Sequence, residues 1–281
     1  MKIRNLKPED LDEVKRLCDM IHWPLTMPDL KRLYELEPDG WFCAEVDNQY
    51  VGQVMGMAIG SLGCIGMLIV HENYRRSGIG AALTIEALNY LRNKGAKTIR
   101  LDATPDGYSI YKKIGFADEF AVYHYVKGTA SNNPPLKKIP EVEPAVAADL
   151  EAIIEFDRFS FGVSRAKVLK ALFKDSRTLV VKHGGEIQGY VCTRGGDMGY
   201  WLGPFIANGV PSAEKLLYRV LGESSGKEIH LGVPSINHNA VTLLGRHGFG
   251  MAFEIMRMCY GPKLKGENVQ SIFAEAGHEK T

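Results

Sequence analysis

Hydrophobic and polar positions change period several times along the chain, and each change marks an expected element. Ile3-Arg4-Asn5-Leu6 alternates as a short strand, and Pro8-Glu9-Asp10 opens a helix that turns Leu11, Val14, Leu17 and Cys18 to one side. A second helix is predicted from Pro28 to Leu36, with Leu30, Leu33 and Tyr34 on one face. Three strands follow, Trp41 to Val46, Gln49 to Ile59 and Cys64 to Val70, the first two joined as a hairpin at Asp47-Asn48. Helical spacing returns from Gly78 to Lys94, where Ile79, Leu83, Ala87, Tyr90 and Leu91 share a face and Gly95 terminates the run. A strand from Lys97 to Asp102, a short helix from Asp106 to Ile114 ending at Gly115-Phe116, and a strand reaching Val126 complete this half.

The stretch Gly128-Thr129-Ala130-Ser131-Asn132-Asn133-Pro134-Pro135 has turn formers and no apolar period, so it reads as a linker. Beyond it the order of elements repeats. Helices are expected at Ala147 to Asp157 and Ser164 to Phe173, then strands at Thr178 to Lys182, Glu186 to Thr193 and Met198 to Leu202. A helix from Pro211 to Leu221, a strand from Glu228 to Leu231, a helix from Asn237 to Arg246 and a strand after Phe249 finish the series. Local letters match as well: Asn48-Gln49-Tyr50-Val51-Gly52 resembles Gly185-Glu186-Ile187-Gln188-Gly189, and Ile114-Gly115-Phe116 returns as His247-Gly248-Phe249. The expected division is a domain at 1–127, a linker at 128–138 and a second domain at 139–281.

Composition narrows the class. The 281 residues are 45% hydrophobic and 24% charged, which suits globular domains with real cores. The formal net charge of +1 offers no electrostatic argument for nucleic acid or an anionic membrane as a partner. Five scattered cysteines, Cys18, Cys43, Cys64, Cys192 and Cys259, have no CxxC spacing, so no metal site is expected and a reducing cytoplasm is the expected setting. Val51 to Val70 is apolar enough to raise a membrane span. Its five glycines argue instead for two buried strands broken at Gly60-Ser61-Leu62-Gly63.

The chemistry concentrates at Leu68-Ile69-Val70-His71-Glu72-Asn73-Tyr74-Arg75-Arg76-Ser77-Gly78-Ile79-Gly80, where an apolar strand passes through a polar turn into an amphipathic helix. The first turn of a helix has amide N–H groups without intrahelical partners, and its dipole favours anions. Gly78 and Gly80 let a phosphate approach that backbone, while Arg75 and Arg76 add charge-assisted donors. Leu83 stands where a dinucleotide fingerprint needs its third glycine, and no P-loop lysine is present.

Arg-x-x-Gly-x-Gly between a strand and a helix resembles the signature of the GCN5-related N-acetyltransferase (GNAT) superfamily. Tyr111-Lys112-Lys113-Ile114-Gly115-Phe116 is similar to that family's Tyr-x-x-x-Gly-Phe ending. The resemblance implies an α+β fold with a mixed, strongly twisted sheet, built twice in tandem. It implies acetyl-CoA as cosubstrate, its pantetheine arm lying between splayed fourth and fifth strands against the backbone of Leu68, Ile69 and Val70. Its pyrophosphate would sit on Arg76, Ser77, Gly78, Ile79 and Gly80 beside Arg75. Thr104 stands where many members have an asparagine that bonds the pantetheine. The second half resembles a degenerate GNAT unit: Leu202-Gly203-Pro204-Phe205-Ile206-Ala207-Asn208-Gly209-Val210-Pro211 lacks the loop signature, and Leu244 replaces Tyr111.

Acyl transfer to an amine needs a neutral nucleophile, oxyanion stabilisation and a proton for the leaving thiolate. Tyr111 is the candidate acid and Tyr108, one turn earlier, its substitute; the bland reading of Tyr111 is a core aromatic. No carboxylate lies in the third strand, leaving Glu72, His71 or a water chain for the base. Trp23, in His22-Trp23-Pro24 between the first two helices, is weighed between a substrate wall and core packing, and with Glu72 makes the candidate substrate contacts. Asp157, Arg165 and Arg194 are weighed between substrate recognition and surface ion pairing, and His124 between packing and catalysis. The expected activity is N-acetyl transfer to a small-molecule amine, by a monomer or homodimer, with the second domain closing over the acceptor. The alternatives are a non-catalytic acyl-CoA sensor, a protein or peptide N-acetyltransferase, and a nucleotide oxidoreductase, which the absent third glycine disfavours.

Overall fold

The computed structural model describes residues 1–129, 139–196, 199–224 and 226–277. Most of the expected linker, residues 130–138, lies outside the described residues, as does Met198 of an expected strand. The first half of the chain forms β1 (Lys2–Asn5), α1 (Leu11–Met20), α2 (Met27–Leu36), β2 (Trp41–Val46), β3 (Gln49–Ile59), β4 (Leu62–Val70), α3 (Ile79–Asn93), β5 (Thr98–Ala103), α4 (Pro105–Ile114) and β6 (Ala117–Lys127). The second forms β7 (Val142–Pro144), α5 (Leu150–Phe161), α6 (Ala166–Asp175), β8 (Arg177–His183), β9 (Glu186–Gly196), β10 (Gly199–Ala207), α7 (Val210–Glu223), β11 (Ile229–Pro234), α8 (His238–Arg246), β12 (Gly250–Tyr260) and β13 (Ile272–Ala274).

Two compact units result. Unit 1 comprises Met1–Glu119 with Met256–Lys263; unit 2 comprises Phe120–Ile255 and, of the described residues, 264–277. In unit 1, β1 to β4 are antiparallel neighbours in sequence order, β4 runs parallel to β5, and the Met256–Tyr260 end of β12 pairs antiparallel with β5. Unit 2 repeats the plan: β7 to β10 are antiparallel, β10 is parallel to β11, and β6 pairs antiparallel with β11. Each unit therefore takes its final strand from the other half of the sequence.

Local chemistry explains the element ends. Asp47 (φ +50°) and Asn48 (φ +62°) form the left-handed two-residue turn that a twisted hairpin needs. α2 opens with a capping box in which Thr26 and Asp29 bond each other's backbone, at 3.3 and 3.1 Å. α4 ends at Gly115 (φ +110°), and Gly248 after α8 takes the same left-handed region, so the repeated Gly-Phe letters are two helix stops. Leu83, Ala87 and Leu91 of α3 are wholly buried in a cluster with Val54, Ile65 and Leu101. The apolar stretch 51–70 is β3 and β4, turned at Gly60, and no described helix is long and apolar enough to cross a membrane.

Candidate active site

The parallel pairing of β4 with β5 runs from Leu62↔Thr98 to Ile65↔Leu101 and stops, five residues before β4 ends at Val70. Over the same residues β4 changes register against β3, between Gln53 and Met55, and Met67 turns left-handed at φ +58°. This bulge re-aims the strand away from β5 and opens a wedge between the two.

β4 then delivers the chain to a tight loop. His71 donates its amide to Val51 at 2.8 Å, Tyr74 to His71 at 2.9 Å and Arg75 to Glu72 at 3.2 Å. The Ser77 hydroxyl donates to the Tyr74 carbonyl, and Arg75 Nε folds back on the Val70 carbonyl at 3.1 Å. Arg76 is left-handed at φ +60° and Gly78 at φ +87°, so the chain turns sharply into α3. The first helical amide bond runs from Ala82 to the Gly78 carbonyl at 3.0 Å. Among the described residues the amides of 76–80 have no protein acceptor, so the loop is a nest of donors at a positive helix end.

The two glycines have different reasons. Gly78 is required by its backbone conformation. Gly80 is buried, yet a Cβ there would meet only the Ile110 Cδ1 at 3.4 Å and Val70 Cγ2 at 3.8 Å, ordinary contacts that alanine would tolerate. Packing therefore does not demand glycine at 80, whereas a ligand lying against the helix backbone would. The residues present fit a pyrophosphate on these grounds.

Tyr111 lies in the same apolar cluster as Ile79, Leu101 and Phe116, with Leu68, Val70 and Tyr108 packed at its margin. Its ring meets Phe116 edge-on at 5.9 Å. The hydroxyl has no hydrogen-bond partner among the described residues, and burial raises its pKa well above that of a free phenol, so it stays protonated. Tyr108 differs: its hydroxyl donates to Asp118 Oδ2 at 2.8 Å, and that bond raises its pKa. Sequence reasoning passed over Asp118, because nothing in the spacing from Tyr108 signals a turn across α4 into β6. Thr104 caps α4 through its carbonyl, not its hydroxyl, which makes no capping bond.

The structure thus gathers Leu68, Val70, Ile79, Gly80, Tyr108 and Tyr111 into one neighbourhood. Trp23 is outside that cluster, half-buried in the α1–α2 turn with its amide on the Cys18 carbonyl at 2.9 Å. Glu72 is exposed, and His71 Nδ1 accepts the Asn73 amide at 3.3 Å. A recess of about 700 Å³ borders His71 and Tyr74, but its walls are Arg4, Asp10, Glu45 and Tyr50. Arg4 is paired there with Asp10 at 2.6 Å and Glu45 at 2.7 Å, so the charges satisfy one another.

In unit 2, Asp157 and Arg165 belong to neither reading considered for them. They pair at 2.8 and 2.9 Å with almost no exposure, and Tyr190 donates its hydroxyl to the same carboxylate. Arg194 is also buried and donates to the Gly203 and Ala276 carbonyls at 3.0 and 2.9 Å. Buried, fully engaged charges hold structure and are not offered to a ligand. His124 packs face-on against Phe253 at 4.4 Å and sits 3.3 Å from His230.

Comparison with known proteins identifies the family and the fold. Residues 9–116 match the acetyltransferase (GNAT) family, and residues 153–274 match an acetyltransferase (GNAT) domain. The holothin acyltransferase of a Pseudoalteromonas strain is 25% identical over 275 residues, covering 95% of this chain and 92% of the relative. An acetyltransferase of Sodalis glossinidius is 32% identical over 123 residues, 41% of this chain and 87% of that protein. A crystal structure of a Pyrococcus horikoshii protein classed with the acetyltransferases superposes with a TM-score of 0.85 at 25% identity, covering 100% and 95% of the two chains. The fold and the matches define an acyltransferase of the kind that uses acyl-CoA as cosubstrate. The chain belongs to the GNAT superfamily, as a tandem protein with a GNAT domain matched in each half.

Proposed function

We propose that unit 1 transfers an acetyl group from acetyl-CoA to a primary amine of a small molecule, by direct attack in a ternary complex. The observation that carries this reading is the run of unpartnered amides at 76–80 beside the open wedge of β4 and β5. Arg75 and Arg76 add positive charge to those donors, and residues 68–70 offer strand backbone to an extended amide-bearing arm. The thioester supplies the acyl group. The amine nitrogen forms a bond to the carbonyl carbon, the carbon–sulfur bond breaks, and the excess ammonium proton leaves to water. Tyr111 donates its proton to the departing sulfur and regains one from water, or it gives the sulfur a strong hydrogen bond; burial keeps it protonated for that role. Thr104, with its hydroxyl outside the helix cap, supports the arm. Trp23 and Glu72 are proposed to border the acceptor. The relative named for acylating holothin, which aligns along nearly the whole chain, favours a small acceptor over a protein.

Two measurements test this. Coenzyme A, and not NAD, should raise the melting temperature of the chain. Thiol release from acetyl-CoA should appear with one class in a panel of small amines and peptides. Binding without release from any of them would leave an acyl-CoA sensor, and peptide-only turnover would reassign the acceptor.

A further inference from the structure

Unit 2 has a wedge of the same kind, and the chain itself fills it. β10 and β11 pair in parallel only at Tyr200↔Ile229 and Trp201↔His230. Past that point β10 pairs with β13, Phe205 with Ala274 and Ile206 with Ile272. The amide of Glu275 donates to the Gly232 carbonyl on β11 at 2.9 Å. One short segment thus bonds both strands where they part, and Ile272, Phe273 and Ala274 are buried as it does so.

Side chains elsewhere in unit 2 hold that segment by its backbone. The Asn237 amide group donates to the carbonyls of Val269, Gln270 and Ile272 at 3.2, 3.2 and 2.9 Å, while its oxygen accepts the Ala240 amide at 3.0 Å. Arg194 donates to the Ala276 carbonyl at 2.9 Å. Gly203 makes room: a Cβ there would fall 1.8 Å from the Glu275 carbonyl oxygen. A side chain at 203 and this segment exclude one another.

The features that suit unit 1 to a thioester are missing in the corresponding places. Three positions beyond the last parallel pair, unit 1 has Leu68 with an amide hydrogen and unit 2 has Pro204 without one. α7 begins with Val210-Pro211 and no arginine precedes it in the loop. Leu244 is buried where unit 1 has Tyr111. A peptide and a pantetheine arm both pair with a strand through amides, so one can stand in for the other. Tethering gives the segment an effective concentration of about millimolar or above, against which a free arm with no phosphate seat competes poorly.

We infer that the slot between β10 and β11 is a strand-accepting site whose ligand is an extended peptide, supplied in cis by Ile272–Ala274, and that unit 2 binds no acyl-CoA. The parallel with unit 1 rests on reading its wedge as the cofactor slot. The unit 2 geometry stands without that reading.

Hydrogen exchange and calorimetry on the full chain test the inference. Saturating coenzyme A should slow exchange at 76–80, leave the amides of 272–275 as protected as before, and bind at one equivalent per chain. Faster exchange at 272–275 on adding coenzyme A, or a second equivalent bound, would overturn it. Absence of any effect at 76–80 would count against the proposed function instead. Asn237→Asp keeps the acceptor for Ala240 and loses donors to the segment, so exchange across 269–275 should accelerate about tenfold or more. Unchanged exchange there would remove the clamp. In a chain ending at Gln270, a synthetic peptide of residues 271–277 should raise the melting temperature, and failure of the peptide to bind the folded truncated chain would refute the slot. If truncation prevents folding, the full-chain exchange result decides.

Discussion

Removing one oxygen atom, in Tyr111→Phe, separates catalysis from packing. The ring sits in the apolar cluster of Ile79, Leu101 and Phe116 and meets Phe116 edge-on at 5.9 Å. The hydroxyl bonds no described protein group, so no intramolecular hydrogen bond is lost, and stability should stay within about 1 kcal/mol of the parent. A positioned general acid contributes about 10²- to 10⁴-fold to rate. That range corresponds to about 3–5 kcal/mol of transition-state stabilisation. The assay is continuous thiol release at saturating acetyl-CoA with the best amine, alongside melting temperature. The expected result is a fall of two to four orders of magnitude in kcat with unchanged melting and little change in KM for the thioester. Because burial raises the phenol's pKa, the parent enzyme should show no falling limb from this group as pH rises to about 10. Full turnover in the variant would refute the assignment. Parallel losses of stability and rate would make Tyr111 a packing residue.

Gly80→Ala should be neutral or slightly stabilising, since its Cβ meets only ordinary contacts and alanine favours a helix by up to about 1 kcal/mol. It should weaken acyl-CoA binding about 5- to 100-fold by overpacking the ligand seat, read by calorimetry. An unchanged Kd would mean that no phosphate lies against the backbone at residue 80. Gly203→Ala should cost about 3 kcal/mol or more, from the clash with Glu275 and the φ of +149°, and leave the coenzyme A Kd untouched; chemical denaturation checks the cost. Stability should fall on the alkaline side. Burial pushes the Cys18 thiol up to about 12 and raises the phenols of Tyr111 and Tyr190. These groups stay protonated in the folded chain while the unfolded chain ionises, so their contribution is intact below about pH 8.5 and is lost as pH climbs. A urea midpoint constant from pH 8 to 11 would contradict this.

Much of the fold was legible because its signals are local. β2 and β3 fall on either side of the Asp47-Asn48 turn as expected, and α3 begins at the glycine that also marks the loop. The loop signature, the Gly115 helix stop and the Arg75-Arg76 pair are properties of a few consecutive residues, decided by sterics and hydrogen-bonding capacity. β7 and β13 were missed, since three residues contain too little pattern to distinguish a strand from a tail.

What tertiary structure alone decided is which segments meet. Nothing in Met256–Tyr260 says that it pairs with β5, nor in β6 that it pairs with β11, because strand partners are chosen over long sequence distances by shared apolar faces. From sequence, Asp157, Arg165 and Arg194 read either as substrate contacts or as surface ion pairs, and only the fold shows them buried opposite their partners. The same holds for the two wedges. The sequence shows that the loop before α7 lacks Arg-x-x-Gly-x-Gly; only folding placed Ile272–Ala274 beside β10, since a short apolar segment pairs wherever two parted strands leave backbone donors and acceptors open.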